Sequence, residues 1–212
     1  MPRLRQVPRS EVEDPLVDAM YSFLFADRDP VAEPGTTSGS PGDWWTVFAA
    51  VPDIFKHAVD GIQIYRSGER HLDPLLRELG QCRSGWIVGS QFVYSQHCKS
   101  LRLLGVDEEK IEAVAYWPGS DRFDDAERAV LGYVDAMASD HGRVHDGLFE
   151  ALRRHLDDHE ILELTYICGL YIMHGIMSRA LRTEWDDRDD PVVEVDGPAG
   201  FTGYDRAAEA ES

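Results

Sequence analysis

The segment Ser90-Gln91-Phe92-Val93-Tyr94-Ser95-Gln96-His97-Cys98 gathers polar, chemistry-capable side chains inside a core-like stretch. On a helix, Ser90, Val93, Tyr94 and His97 share one face, with His97 one turn beyond Tyr94. An imidazole placed there exchanges a proton near neutral pH. The same pattern also describes a histidine satisfied inside a core or an interface. Glu78 lies upstream, within the apolar stripe Leu75, Leu76, Leu79. A Glu hydrogen-bonded to His fixes the ring tautomer and raises its basicity. Taken alone, Glu78 reads more readily as a solvated helix residue than as a site carboxylate. Cys98 follows His97 directly and points about 100° away on a helix, so the two do not form a nucleophilic Cys-His pair. Cys98 therefore reads as structural, and Cys82 and Cys168 as small core fillers. No two cysteines are spaced as CxxC, which disfavours a redox disulfide. A dithiol site would need a pair meeting in space, for example Cys82 with Cys98.

Other polar groups are candidates to line such a site. Tyr94 is a further acid-base candidate, and Ser90 and Gln96 are polar groups for substrate contact. Arg83, Lys99 and Arg179 are candidates to hold a substrate carboxylate, with surface placement the default for each. His174 sits in Tyr171-Ile172-Met173-His174-Gly175-Ile176-Met177-Ser178-Arg179, where one His and one Arg on an apolar helix either line a pocket or form a helix interface. His155 and His159, and likewise His141 and His145, lack any HExxH context, so no metal site is expected. No cofactor is expected either.

The elements that must position these residues are helical. Strand-like alternation is scarce, and 3-4 spacing runs through the chain from Trp44 onward. The pattern predicts an all-α compact bundle of about seven helices. Pro15 to Phe25 reads as a short helix after a loose arm, and the Pro/Gly-rich stretch from Asp27 to Asp43 as a loop or lid. Pro52 belongs near a first turn, and Pro74 likewise. Gly85 and Gly89 loosen the segment between Leu79 and Phe92. Gly105 suits a helix stop. Asp124 with Glu127, and Asp157 with Glu160, have capping-box spacing. Three segments follow: an arm and loop over 1–43, a helical domain over 44–184, and an acidic tail over 185–212 that reads as a solvated or disordered end.

Composition narrows the function classes. The 212 residues hold 21 Lys and Arg against 39 Asp and Glu, a formal net charge of -18. Such a chain repels nucleic-acid phosphate and is poorly suited to an anionic membrane surface. Three cysteines outside any disulfide framework fit a reducing cytoplasm. Arg3, Arg5 and Arg9 precede no apolar h-region, so no secretory signal is expected. Ile161 to Leu181 is apolar but carries Glu163, His174 and Arg179, and reads as a buried helix and not a membrane span.

Glu78, Phe92, His97 and Gly105 fall in the order and spacing of a known pattern. The stretch from Leu75 to Ala115 resembles the carboxymuconolactone decarboxylase family, which is related to the AhpD-type alkylhydroperoxidases. The following start Val106 to Ala113, the helix from Asp124 and the helix from Glu160 to Arg179 are similar too, so the resemblance spans about Val47 to Glu184. In the peroxidase branch the paired cysteines would stand at Ser90 and Val93, so dithiol peroxide reduction is not expected here. The resemblance implies a lyase that decarboxylates a small organic acid, such as a lactone or β-keto-type acid, with His97 moving the proton and Glu78 orienting it. It also implies a homodimer or homotrimer. An isomerase, cyclase or hydratase on the same scaffold, and a non-catalytic small-molecule-binding oligomer, remain open alternatives.

Overall fold

A computed structural model describes residues 1–65, 67–188 and 192–195. Among these residues there are nine α-helices and no strand, so the all-α expectation holds with more helices than the seven or so expected. They are α1 (Pro15–Phe25), α2 (Asp43–Phe48), α3 (Pro52–Ile64), α4 (Pro74–Val88), α5 (Gln91–Leu103), α6 (Glu108–Ala113), α7 (Asp125–Ser139), α8 (Asp146–Arg153) and α9 (Asp158–Leu181).

Local chemistry sets the boundaries. Pro52 and Pro74 stand in first turns, where a missing N–H costs nothing. Pro52 thereby divides the Trp44 to Tyr65 stripe into α2 and α3. Asp73 accepts from the Leu75 and Leu76 amides to cap α4. The capping box at Asp124 and Glu127 forms in full. Asp157 and Glu160 exchange the same reciprocal pair, Asp157 N–H to Oε2 of Glu160 and Glu160 N–H to Oδ1 of Asp157.

The described residues divide into two compact units. One gathers residues 1–65, 178–188 and 195, so α2 and α3 fall with the N-terminal arm. Within it the arm is not loose. The Tyr21 hydroxyl donates to the Val7 carbonyl at 2.8 Å, and the Val7 amide donates to Thr46 at 2.9 Å. The chain is also packed where it enters the acidic tail: Glu184, just before it, is buried and accepts the Gly42 and Trp44 amides at 2.9 Å each, and Asp186 within it is buried as well. A solvated tail was expected from charge density alone, and the helix-end amides left without partners near Gly42 explain why a carboxylate is buried there instead. Residues 189–191 and 196–212 of that tail lie outside the described residues.

The other unit comprises residues 67–177 and 192–194. Its hub is α4, packed against α5 and α7. Two clusters form its core, one around Val130, Val134, Leu152, Leu164 and Cys168, the other around Leu79, Cys82, Tyr94, Leu101 and Ile111. Gly85 does not loosen α4, which runs unbroken through it to Val88. A Cβ there would stand 2.5 Å from the Tyr94 backbone nitrogen, so Gly85 is where α5 presses closest to α4. Gly89 then ends the helix in the left-handed conformation at φ 77°. On the other side of α4, an added Cβ at Gly80 would meet Cys168 Sγ at 2.8 Å, which places α9 against it. By length and composition α9 could cross a membrane, yet Leu164, Ile167 and Cys168 are core residues of the fold.

Candidate active site

Helix α4 is buried on every side over a continuous run from Arg77 to Gly85. Polar side chains in that run lose their hydration and need partners inside the protein. Glu78, 1% exposed, has two. Its Oε2 lies 2.7 Å from Nδ1 of His97, and its Oε1 accepts from Nη2 of Arg77 at 3.0 Å. Burial alone would raise the carboxyl pKa. The hydrogen bond and charge of His97, with the Arg77 guanidinium, outweigh it and hold the carboxyl below its ordinary range.

Helix α5 carries the other half. Its first turn is capped by the Ser90 hydroxyl, which accepts the Val93 amide at 3.1 Å. Nearly two turns on, His97 is buried against α4. An ionised Glu78 only accepts, so Nδ1 of His97 donates to it, and in the neutral form of the ring the lone pair is then on Nε2. Among the described residues, Nε2 is buried and has no hydrogen-bond partner. The Tyr171 ring of α9 meets the imidazole edge-on, with centroids 4.4 Å apart. His174, also buried, lies one turn further, 6.2 Å from the Tyr171 ring. The arrangement is an oriented, desolvated base with an open nitrogen, able to take a proton from an acid and return it to carbon.

The remaining candidates divide. Tyr94 belongs to the apolar cluster between α4 and α5, where burial first and then Cys98 and Cys82 push its phenol pKa up. Arg83 is not available to an anion: its Nε and Nη2 donate to Asp135 at 2.6 and 3.1 Å, and Nη1 to the Val114 and Ala115 carbonyls. It is a structural tie, because a buried guanidinium needs this many acceptors. Lys99 is buried about 200° round α5 from His97. Gln96 is half-buried, and its Nε2 is enclosed without a partner among the described residues. Ser90 serves as the α5 cap. Arg179 lies in the first unit and is half-buried, whereas the Glu78–His97 pair belongs to the second.

Cys82 is not isolated. Its Sγ lies 3.7 Å from that of Cys98, and both are free thiols. Cys82 is one turn after Glu78 and Cys98 one residue after His97, so the helix pairing that joins Glu78 to His97 also joins the sulfurs. Spacing along the sequence offered this pair only as one that would have to meet in space, and the contact is decided by the packing of two different helices. Burial pushes the Cys82 thiol well above its usual range. Cys168 is pushed up to about 12 by burial.

Three residues near this pair were not singled out in the sequence. Arg77 holds the second carboxylate oxygen, Tyr171 walls the imidazole, and Gln81 lies one turn after Glu78. The signal for Arg77 and Gln81 was their place in the α4 stripe, within three residues of Glu78.

Residues 52–136 match the model of the carboxymuconolactone decarboxylase family. The uncharacterized protein YnjA of Escherichia coli K12 is 30% identical over 147 residues, covering 67% of this chain and 76% of YnjA. The chain belongs to the carboxymuconolactone decarboxylase family. A solved protein of unknown function from Agrobacterium tumefaciens, named with the antioxidant defence protein AhpD, is 29% identical with a TM-score of 0.59, covering 64% of this chain and 92% of that one. The debrominase Bmp8, solved with 2,3,4-tribromopyrrole, shares the fold at a TM-score of 0.68 and 15% identity, over 86% of this chain and 90% of that one. A peroxidase-related protein from Silicibacter shares it at 0.64 and 17%, over 86% and 93%.

Proposed function

We propose that this family member is a cofactor-independent lyase that removes carbon dioxide from a small organic acid of the lactone or β-keto type. The buried Glu78–His97 pair, with the imidazole Nε2 open, carries the reading. In the cycle, Nε2 accepts the substrate's carboxyl proton. The carbon–carbon bond to the carboxylate then breaks, its electron pair stays on the α-carbon as an enolate, and carbon dioxide leaves. Nε2–H returns the proton to that carbon. Protons balance over the cycle, and Glu78 stabilises the imidazolium while it exists. Water exclusion strengthens that stabilisation.

The Cys82–Cys98 pair has no part in this reading. Peroxide reduction needs an accessible thiolate, whereas both sulfurs are buried and Cys82 is held protonated. The working form we propose is a cytoplasmic homodimer or homotrimer. The apolar residues Leu162, Tyr166, Met173 and Ile176, exposed at helical spacing on α9, support self-association.

The test is turnover of a panel of small β-keto acids and lactone acids in deuterated water. The expected product has lost carbon dioxide and carries deuterium at the carbon that lost it. His97→Ala and Glu78→Gln each lower the rate by about 10²–10⁴-fold. Equal turnover by His97→Ala overturns the proposal.

A further inference from the structure

Gln81 is fully buried, and among the described residues neither its amide nitrogen nor its amide oxygen has a hydrogen-bond partner. Leaving both ends of a carboxamide unpaired inside a protein is unfavourable, so such a group calls for a partner that the neighbouring side chains do not supply. Its position follows from the contacts of α4. Glu78, Cys82 and Gly85 face α5, since they meet His97, Cys98 and Tyr94. Gly80 faces α9, where it meets Cys168 and Leu164. Gln81 is about 60° from Glu78 round the helix, on the side turned toward α9. It thus falls in the angle between α5 and α9, the sector in which Tyr171 of α9 touches His97 of α5. Two buried polar side chains with unpaired nitrogen or oxygen atoms, Gln81 and His97, therefore come from α4 and α5 into one three-helix sector.

The charges in this sector define the ligand. Arg77, the cation beside Glu78, is already paired with it at 3.0 Å. A bare carboxylate would leave the Gln81 oxygen facing negative charge. An uncharged carboxyl, or a primary amide of the same shape, instead presents one acceptor and one donor side by side, matching the carboxamide at both ends. We propose that Gln81 is a substrate-binding residue that takes the carboxyl group in its uncharged, protonated form, receiving the carboxyl O–H at Oε1 and donating from Nε2 to the carboxyl C=O. The inference rests on the lyase reading for its substrate class and names the form in which the acid enters, before the carboxyl O–H turns from Oε1 of Gln81 to Nε2 of His97 and its proton is transferred. A neutral carboxyl also meets less repulsion from a chain whose net charge is -18.

The test is calorimetric binding of levulinic acid, levulinamide and methyl levulinate to the full chain. The methyl ester keeps the acceptor and lacks the donor. The wild-type chain is expected to bind the amide, and the acid at pH 5, about tenfold or more tighter than the ester, a hydrogen-bond-sized difference. Acid binding weakens from pH 5 to pH 7 as the acid ionises, while amide binding holds. Gln81→Met and Gln81→Leu bring acid and amide down to the level of the ester. Both variants raise Tm by about 2–4 °C, because they remove an unpaired buried amide. Unchanged discrimination in both variants, no binding by the wild-type chain, or a lowered Tm in both variants overturns the inference. Gln81-dependent binding together with no release of carbon dioxide from any β-keto or lactone acid of the turnover panel overturns the lyase reading alone. His97-dependent turnover without Gln81-dependent binding overturns this inference alone.

Discussion

Glu78 and Glu184 are two buried carboxylates whose surroundings push in opposite directions. Burial acts on both. At Glu78 the His97 and Arg77 partners win, and the carboxyl sits below its ordinary range. At Glu184 burial wins over the Gly42 and Trp44 amides, and the pKa is pushed up to about 7. The consequences for stability have opposite signs. Glu78 contributes stability above its unfolded pKa of about 4.3, and that contribution is lost as pH falls through the lower folded value. Glu184 contributes fully below the unfolded value, and its contribution is lost as pH rises through about 7. The Glu184 span is worth about 3 kcal/mol by order of magnitude. Urea midpoints at pH 3, 5 and 8 check both. Glu78→Gln is expected to flatten the acid limb, and Glu184→Gln to gain on the wild type between pH 5 and pH 8. A Glu184→Gln profile parallel to the wild type would refute the second expectation. Type and spacing in the sequence made Glu78 and His97 a candidate pair, but their 2.7 Å contact depends on how α4 lies against α5.

The helices themselves were legible where capping chemistry is local. The Asp124/Glu127 and Asp157/Glu160 pairs form as their spacing predicted, because both partners lie in one turn. Gly85 was misread as a loosening point because a glycine's effect depends on what stands opposite it, which for Gly85 is the Tyr94 backbone. A methyl group at 2.5 Å from a backbone nitrogen cannot be relieved by a side-chain rotation. Gly85→Ala is therefore expected to destabilise the fold by about 3 kcal/mol, the upper end of overpacking. It should also weaken the Glu78–His97 contact, since both depend on the same α4–α5 approach. Thermal unfolding and the imidazole NMR signals of the variant measure the two effects, and a Tm equal to that of the wild type would contradict the close-approach assignment.

At the scale of the whole molecule, Leu162, Tyr166, Met173 and Ile176 form an exposed stripe along α9. In the proposed homo-oligomer a second copy of the chain would cover this stripe. Leu162→Glu with Ile176→Glu is expected to shift the chain to monomer in sedimentation at micromolar concentration, with helicity retained. Unchanged mass in the double variant would rule out this face as the contact. The sequence by itself determined the all-α class, most helix ends, and the Glu and His types at family spacing. These depend on periodicity, capping and residue identity within a few positions of the chain. Tertiary structure alone decided that Arg83 is tied to Asp135, that Cys82 meets Cys98, that Glu184 is buried, and that Gln81, one turn after Glu78, has no hydrogen-bond partner among the described residues. Each of these depends on which side chain an adjacent element brings within about 4 Å, the range over which hydrogen bonds and packing act.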